Sequence, residues 1–430
     1  MTRASRAGGD KASFQGVTWP PVSHRFGPTP QRPRASPITA RAATRADKVV
    51  IASGVRAKQG WSGLGMDGSS KAAALELFDV GPCEEPFRLG YLVGRKFSSM
   101  IQSRAAADLV LQRQLLPFAQ TPQAEPLIQA ICSANRQRFP AHWEELLGTA
   151  EGSGVSVLHI ILLNFRKEIL PFIPEEETTP QKEAAAADND DDDCSDVLVV
   201  NDSMAIAAHN EDANTALLGH TYLVRARLPN GGSFTAYTYA GELPSCAFGF
   251  NNNGIAFTLN SVPPRLEEIV AGGIGRNLIS RDLLEATSLE DALDRICSCN
   301  VAVGHSYNLV DVRSRRILNV ETASKNRFSI REVGKKPFFH ANMYLHLQVE
   351  QVQDENSISR QRRAAQLPAE SKSAVLSILG DSADDKYPIY MTGPTLYTLC
   401  TALIDVDERT VSILQCNPKI GDASYVLQMY

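Results

Sequence analysis

Cys194 is the residue whose surroundings suggest chemistry. It follows four consecutive aspartates, Asp190–Asp193, and leads through Ser195 and Asp196 into the apolar run Val197-Leu-Val-Val200. A hairpin's length further on stands His209-Asn-Glu-Asp212. A thiol at the head of a strand, directly after a segment that can be cut, is what an N-terminal nucleophile needs. Cleavage of the Asp193–Cys194 bond frees an α-amino group on the nucleophile's own residue. With a reference pKa of about 8, that amine can take the thiol proton without an external histidine. A carboxylate one hairpin away can hold the resulting ammonium. The same pattern also fits an inert cysteine at a strand start, since small thiols are common in cores.

The elements around this point differ on its two sides. Upstream the chain reads as mainly helical. A helical stretch runs from Phe87 towards Leu116, with Gly90 and Gly94 four apart on one face, open to close packing. Helices follow over Pro126–Phe139 and Trp143–Ala150, and Gly152 and Gly154 stop the latter. Ser156 is placed to cap a further helix reaching Glu168. Downstream, period-two alternation predicts strands at 196–200 and 204–208, a hairpin of 221–228 and 233–239 around Pro229-Asn-Gly-Gly232, and another around Asn251-Asn-Asn-Gly254. Helices are expected at 276–286, 289–297, 357–366 and 371–380, and strands at 307–312, 316–321, 327–331, 395–405 and 410–414. This order of strands, helices and strands predicts a layered α+β core.

Two segments stand apart in composition. Residues 1–48 are basic, Ser- and Pro-rich and nearly free of acids, with no hydrophobic period. They read either as a transit peptide for a plastid or mitochondrion or as a plain disordered tail of a cytoplasmic protein. Residues 174–193 form an acidic, low-complexity stretch that reads as a solvated linker. The division is thus a leader (1–48), a helical segment (49–173), a linker ending at the cleavage site (174–193) and a catalytic core (194–430).

The net charge of −5 argues against nucleic acid as a partner. The longest apolar run, Val155–Phe165, is interrupted by Ser156, His159 and Asn164, and is too short to span a membrane. The eight cysteines read as reduced, mostly buried thiols, and Cys297-Ser-Cys299 is too closely spaced for the usual zinc knuckle. Neither a cofactor nor a metal is expected.

From Asp79 to Tyr430 the chain resembles the isopenicillin N acyltransferase family, which also includes hydrolases of β-alanyl amines. The resemblance is carried by Gly90-Tyr-Leu-Val-Gly94, Ala150–Glu168, Cys194-Ser-Asp196, His209-Asn-Glu-Asp212, Gly249–Asn260, Asn319-Val-Glu-Thr322 and His340-Ala-Asn342, in family order. It implies a proenzyme that cuts itself before the cysteine, and the N-terminal-nucleophile αββα sandwich of two sheets between helical layers. By position it makes Cys194 the autocleavage residue and nucleophile. Asp212 becomes the aspartate that binds the new amine, and Asn342 and Asn260 donors to the tetrahedral oxyanion. Simpler roles stay open: a turn for Asp212, a loop cap for Asn342, a structural amide for Asn260. His209, where related bile-salt hydrolases carry arginine, reads as a structural histidine as readily as a catalytic one, and Glu321 as a structural partner. Two departures are plain. Asp193 stands where the family usually has glycine, and Gln415-Cys416-Asn417 stand where the penicillin-forming member has an arginine.

The expected activity is that of a cysteine amidohydrolase or acyltransferase. It would act on a small N-acylated amine, with an acyl-coenzyme A among the candidate donors, and its two cleaved fragments would stay associated. The alternatives are an unprocessed relative that serves as a binding or structural protein, and a protease acting in trans.

Overall fold

In the computed structural model, residues 75–174, 193–244 and 246–430 are described. The leader expected at 1–48 and the interior of the linker lie outside them.

Alternating strands build two sheets. The larger has eight strands in the order β1 (Glu76–Val80), β4 (Thr221–Arg227), β5 (Ser233–Tyr239), β6 (Phe248–Asn251), β7 (Ile255–Ser261), β8 (His305–Asp311), β9 (Arg316–Ala323) and β10 (Arg327–Glu332). The smaller has six, in the order β11 (Phe338–His340), β2 (Ser195–Val200), β3 (Ala205–Asn214), β12 (Leu396–Asp405), β13 (Thr410–Leu414) and β14 (Tyr425–Gln428). All neighbours are antiparallel except β1 with β4. β1, β11 and β14 are strands the pattern does not announce; the last means that the chain does not close on β13. All three are short, and β1 and β11 pair with strands distant in sequence.

Period two sorts side chains to opposite faces, and this fixes the layers. Leu198, Ala207 and Ile404 of the small sheet meet Leu223, Tyr237, Phe248 and Val310 of the large one in the core between the sheets. Val197, Val199, Ile206 and Leu403 point the other way, under α10 (Glu355–Ala364) and α11 (Lys372–Leu379). The outer face of the large sheet carries Tyr222, Val224, Phe257 and Tyr307 and is covered by the remaining helices. These are α1 (Pro86–Lys96), α2 (Ser98–Ala107), α3 (Leu116–Ala119), α4 (Ala124–Arg138), α5 (Pro140–Ser153), α6 (Val157–Asn164), α7 (Arg166–Ile169), α8 (Arg276–Leu283) and α9 (Leu289–Cys297). The result is the αββα sandwich.

The expected single stretch from Phe87 to Leu116 is broken at Phe97 and again at Asp108, whose Oδ1 accepts the Leu111 N–H at 2.8 Å and starts a new turn. Gly90 and Gly94 do allow close packing. A Cβ on Gly90 would lie 1.8 Å from the Glu145 carbonyl oxygen, and one on Gly148 of α5 would lie 2.1 Å from that of Phe87. Ser156 caps α6 as anticipated, accepting the His159 N–H. All eight cysteines are free thiols, but only Cys194, Cys299 and Cys400 are buried, and Cys416 is exposed. Among the described residues no helix is long and apolar enough to cross a membrane.

Candidate active site

Cys194 stands just ahead of β2, and the β2–β3 register sets its neighbours. Asp196 pairs with His209 and Ser195 with Asn210, and the Asp193 N–H donates to the Asp212 carbonyl at 3.1 Å. Cys194 is therefore opposite Glu211. Alternation turns Cys194, Asp196, His209 and Glu211 towards the space between the sheets. Asp193, Ser195, Asn210 and Asp212 point to the side covered by α10.

On the inner side, the Cys194 thiol lies 3.8 Å from Glu211 Oε2. His209 Nε2 is 2.9 Å from the same oxygen, and its Nδ1 is 3.1 Å from Asp196 Oδ1. Thr258 Oγ1 donates to Asp196 Oδ1 at 2.6 Å, and the Tyr239 hydroxyl donates to Glu211 Oε1. Burial by itself would lower the His209 pKa. Asp196, with help from Glu211, outweighs it and holds the imidazole well above its ordinary range. His209 is thus tied to the thiol's own cluster rather than standing apart in the core.

On the outer side the organiser is Arg360 of α10, fully buried. Its Nη1 donates to the Asp193 carbonyl at 2.9 Å, the Cys194 carbonyl at 2.8 Å and Ser195 Oγ at 2.8 Å. Its Nη2 donates to Asn342 Oδ1 at 3.0 Å and lies 3.4 Å from Asp193 Oδ1. Asn356 Nδ2 donates to the other Asp193 carboxylate oxygen at 2.5 Å. Asp193 is therefore gripped by its side chain as well as its backbone. Asp212 accepts a hydrogen bond from Thr398 Oγ1. The β3–β12 register shifts between Thr398 and Cys400, so that these two residues stand opposite the adjacent Asp212 and Glu211. Burial pushes the Asp212 carboxyl up to about 8, against the Thr398 hydroxyl and the Arg360 charge.

The two asparagines lie in different settings. Asn342 Nδ2 donates to the Ser261 carbonyl at 3.0 Å, which ties its loop to the end of β7. Asn260 is on β7, two residues from the Thr258 that holds Asp196. Its Oδ1 accepts from Asn308 Nδ2 at 3.3 Å, and its Nδ2 is buried without a hydrogen-bond partner. Asn319 Nδ2 in turn donates to Asn308 Oδ1 at 2.7 Å, so a ladder of amides sets the orientation of Asn260. Glu321 accepts the Leu345, His346 and Leu347 N–H groups and contacts His340; it ties down the loop after β11. A groove of about 810 Å³ beside β11 is lined by Val197, Lys335, Phe338 and Phe339, and by none of the predicted site residues.

Sequence reasoning did not find Arg360, Asp196, Glu211 or Tyr239. Arg360 alone left a trace: Ser357, Arg360 and Ala364 share the buried stripe of α10, whereas Arg362 is exposed. An arginine on the apolar face of a helix needs a polar partner inside. The others depend on cross-strand register.

Two sheets packed between helical layers make the N-terminal-nucleophile fold, that of a hydrolase or acyltransferase. The chain belongs to the acyl-coenzyme A:6-aminopenicillanic acid acyl-transferase family, whose sequence pattern matches residues 199–419. The match begins just after Cys194 and takes in His209, Asp212, Asn260, Asn342 and Arg360. Over 362 residues the chain is 27% identical to the beta-alanyl-dopamine/carcinine hydrolase of Drosophila melanogaster, covering 77% of this chain and 91% of that protein. Over 176 residues it is 26% identical to the 40 kDa form of acyl-coenzyme A:6-aminopenicillanic-acid-acyltransferase of Emericella nidulans, covering 41% of this chain and 44% of that protein. Among solved structures it is similar to the Caenorhabditis elegans N-acylethanolamine-hydrolyzing acid amidase ortholog, with a TM-score of 0.34 and 10% identity, covering 54% of this chain and 95% of that chain.

Proposed function

We propose that the chain cuts its own Asp193–Cys194 bond, and that the mature Cys194 then opens a small N-acylated amine of the β-alanyl amine type through a thioester. The observation that carries this reading is the grip on the bond to be cut. The Asp193 carbonyl oxygen, where negative charge develops on attack, accepts from the buried Arg360 guanidinium at 2.9 Å, and the Asp193 N–H is anchored on Asp212. A preorganised cation at a developing oxyanion is among the largest contributions a site can make.

In maturation, Sγ adds to the Asp193 carbonyl carbon and its proton passes into the His209–Glu211 cluster. The C–N bond breaks, the nitrogen leaves as the Cys194 α-amine, and water hydrolyses the Asp193 thioester. In turnover, the α-amine takes the thiol proton, and Sγ attacks the substrate carbonyl. The oxyanion accepts hydrogen bonds from Asn342 and Asn260, and the amine departs protonated. Water, or a second amine, then removes the acyl group. Asp212 is adjacent on β3 to hold the ammonium. Length-wide similarity to a hydrolase of β-alanyl-dopamine and carcinine supports the substrate class. Under this reading residues up to 193 and from 194 onward become two associated fragments, held together by the core that the helical layer shares with the large sheet.

Intact-mass measurement of the wild type beside Cys194→Ala tests it. Two fragments meeting at 193/194 are expected for the wild type only. A single full-length species for both means an unprocessed binding or structural protein.

A further inference from the structure

The Cys194 sulfur, an imidazole nitrogen of His209 and a carboxylate oxygen of Glu211 lie within 4.8 Å of one another, and all three residues are buried. We propose that these atoms bind a divalent cation of the zinc class, which caps the nucleophile and holds the protein inactive until the cation is removed.

Thiolate, imidazole and carboxylate are the donor types that zinc takes. At bond lengths of about 2.0–2.3 Å, a tetrahedral ion holds its ligand atoms roughly 3.3–3.6 Å apart. Glu211 Oε2 is already 2.9 Å from His209 Nε2 and 3.8 Å from Cys194 Sγ, with all three ligand atoms within 4.8 Å, so modest side-chain shifts complete the set. The surroundings supply a second observation. His209 Nδ1 is held by Asp196 Oδ1 at 3.1 Å, which turns Nε2 towards the thiol, and Asp196 is itself fixed by Thr258 at 2.6 Å. Glu211 Oε1 is held by the Tyr239 hydroxyl, which leaves Oε2 as the atom facing the sulfur. A carboxylate behind the histidine and a donor behind the carboxylate are the arrangement that orients metal ligands. Three protein ligands leave a fourth position for water.

On binding, the Sγ–H bond breaks and its proton goes to solvent, a proton is likewise released from the His209–Glu211 contact, and Sγ–metal, Nε2–metal and Oε2–metal bonds form. No electron is transferred. The cation's two charges balance the thiolate and the Glu211 carboxylate, and Asp196 keeps the Nδ1–H. The cation is an inhibitor here, not a cofactor. Only the inhibition rests on the nucleophile assignment proposed above; the binding does not.

The test titrates metal-stripped full-length protein with cobalt(II), then competes it with zinc. The wild type should develop a near-ultraviolet thiolate-to-cobalt absorption that saturates at one equivalent and is displaced by zinc. Cys194→Ser should lose that band. Asp196→Asn, or Tyr239→Phe if the former does not fold by circular dichroism, should weaken affinity about 10- to 100-fold. Zinc should arrest fragment formation and turnover in proportion to occupancy, and a chelator should restore both. No band in the wild type, an equal band in Cys194→Ser, or unchanged affinity in the folded outer-sphere variant would overturn the proposal. If the metal binds as described while Cys194→Ala is still cut, the function proposed above fails and the metal site stands. If saturating zinc leaves wild-type cutting untouched, the capping role fails and the function proposed above stands.

Discussion

At the scale of single residues, Arg360 and Asp193 decide what the site can do. Arg360→Lys keeps a charge but loses the fork in which Nη1 holds two successive carbonyls while Nη2 holds Asn342, so maturation should slow at least tenfold, the effect of about 1.4 kcal/mol; a mass-spectrometric time course reads this directly. From the sequence, the resemblance's usual glycine at this position would make Asp193→Gly mature faster, because glycine relaxes the turn. The structure reverses the sign. The Asp193 carboxylate is held by Asn356 at 2.5 Å and Arg360 at 3.4 Å, and a hydrogen bond to a charged group contributes about 1.5–3 kcal/mol. Asp193→Gly should therefore mature about tenfold more slowly, and equal or faster cutting would mean that these contacts do not position the carbonyl. Asn260→Ala removes a buried donor that no group among the described residues uses, so turnover of the mature enzyme should fall about 10²–10³-fold with little loss of thermal stability. A large stability loss with unchanged turnover would assign Asn260 to the amide ladder instead.

At the scale of elements, α1 and α5 are held at backbone contact by glycines on both faces. Alanine in a helix interior ordinarily gains roughly 0.5–1 kcal/mol over glycine. Here the added Cβ of Gly148→Ala would sit 2.1 Å from the Phe87 carbonyl oxygen, and overpacking of this kind costs about 1–3 kcal/mol or more. The collision dominates, so chemical denaturation should show net destabilisation. The same helix is tied to α8 by Arg281 and Glu145, whose side chains are each 2% exposed and meet at 2.9 Å. Arg281→Met would leave a carboxylate buried without its cation, at a cost of about 3–5 kcal/mol. An unchanged midpoint would show that water reaches Glu145.

At the scale of the whole molecule, acid sensitivity follows from carboxylates buried beside arginines. Burial would raise the Asp108 carboxyl, but Arg166 at 3.1 Å and Arg104 outweigh it and hold it below its ordinary value. A depressed folded-state pKa contributes stability that is fully present above the unfolded value of about 3.9 and is lost as the pH falls through the folded one. The wild type should thus lose stability below about pH 4. Asp108→Asn should be less stable near neutrality and show a flatter acid limb in thermal melts taken across that range.

The periodic elements were legible because their signals are local. The α9 helix over Leu289–Cys297, the hairpin around Pro229–Gly232 and the Ser156 cap depend on residues within a few positions of one another. Cys194, Asp212, Asn260 and Asn342 could be named through motifs that survive as short strings. What the string does not contain is who faces whom. Cys194 meets Glu211 and His209 through the β2–β3 register, Asp212 and Glu211 find partners on opposite faces beside a bulge, and Arg360 arrives from a helix well over a hundred positions downstream. A one-residue slip in that register would turn the side chains of one strand away from their partners on the other. The residue types of the site were therefore set by the sequence itself, whereas its electrostatics belong to the tertiary structure, because a buried charge takes its partner from across the sheet or from a helix layered on it, and not from its neighbours along the chain.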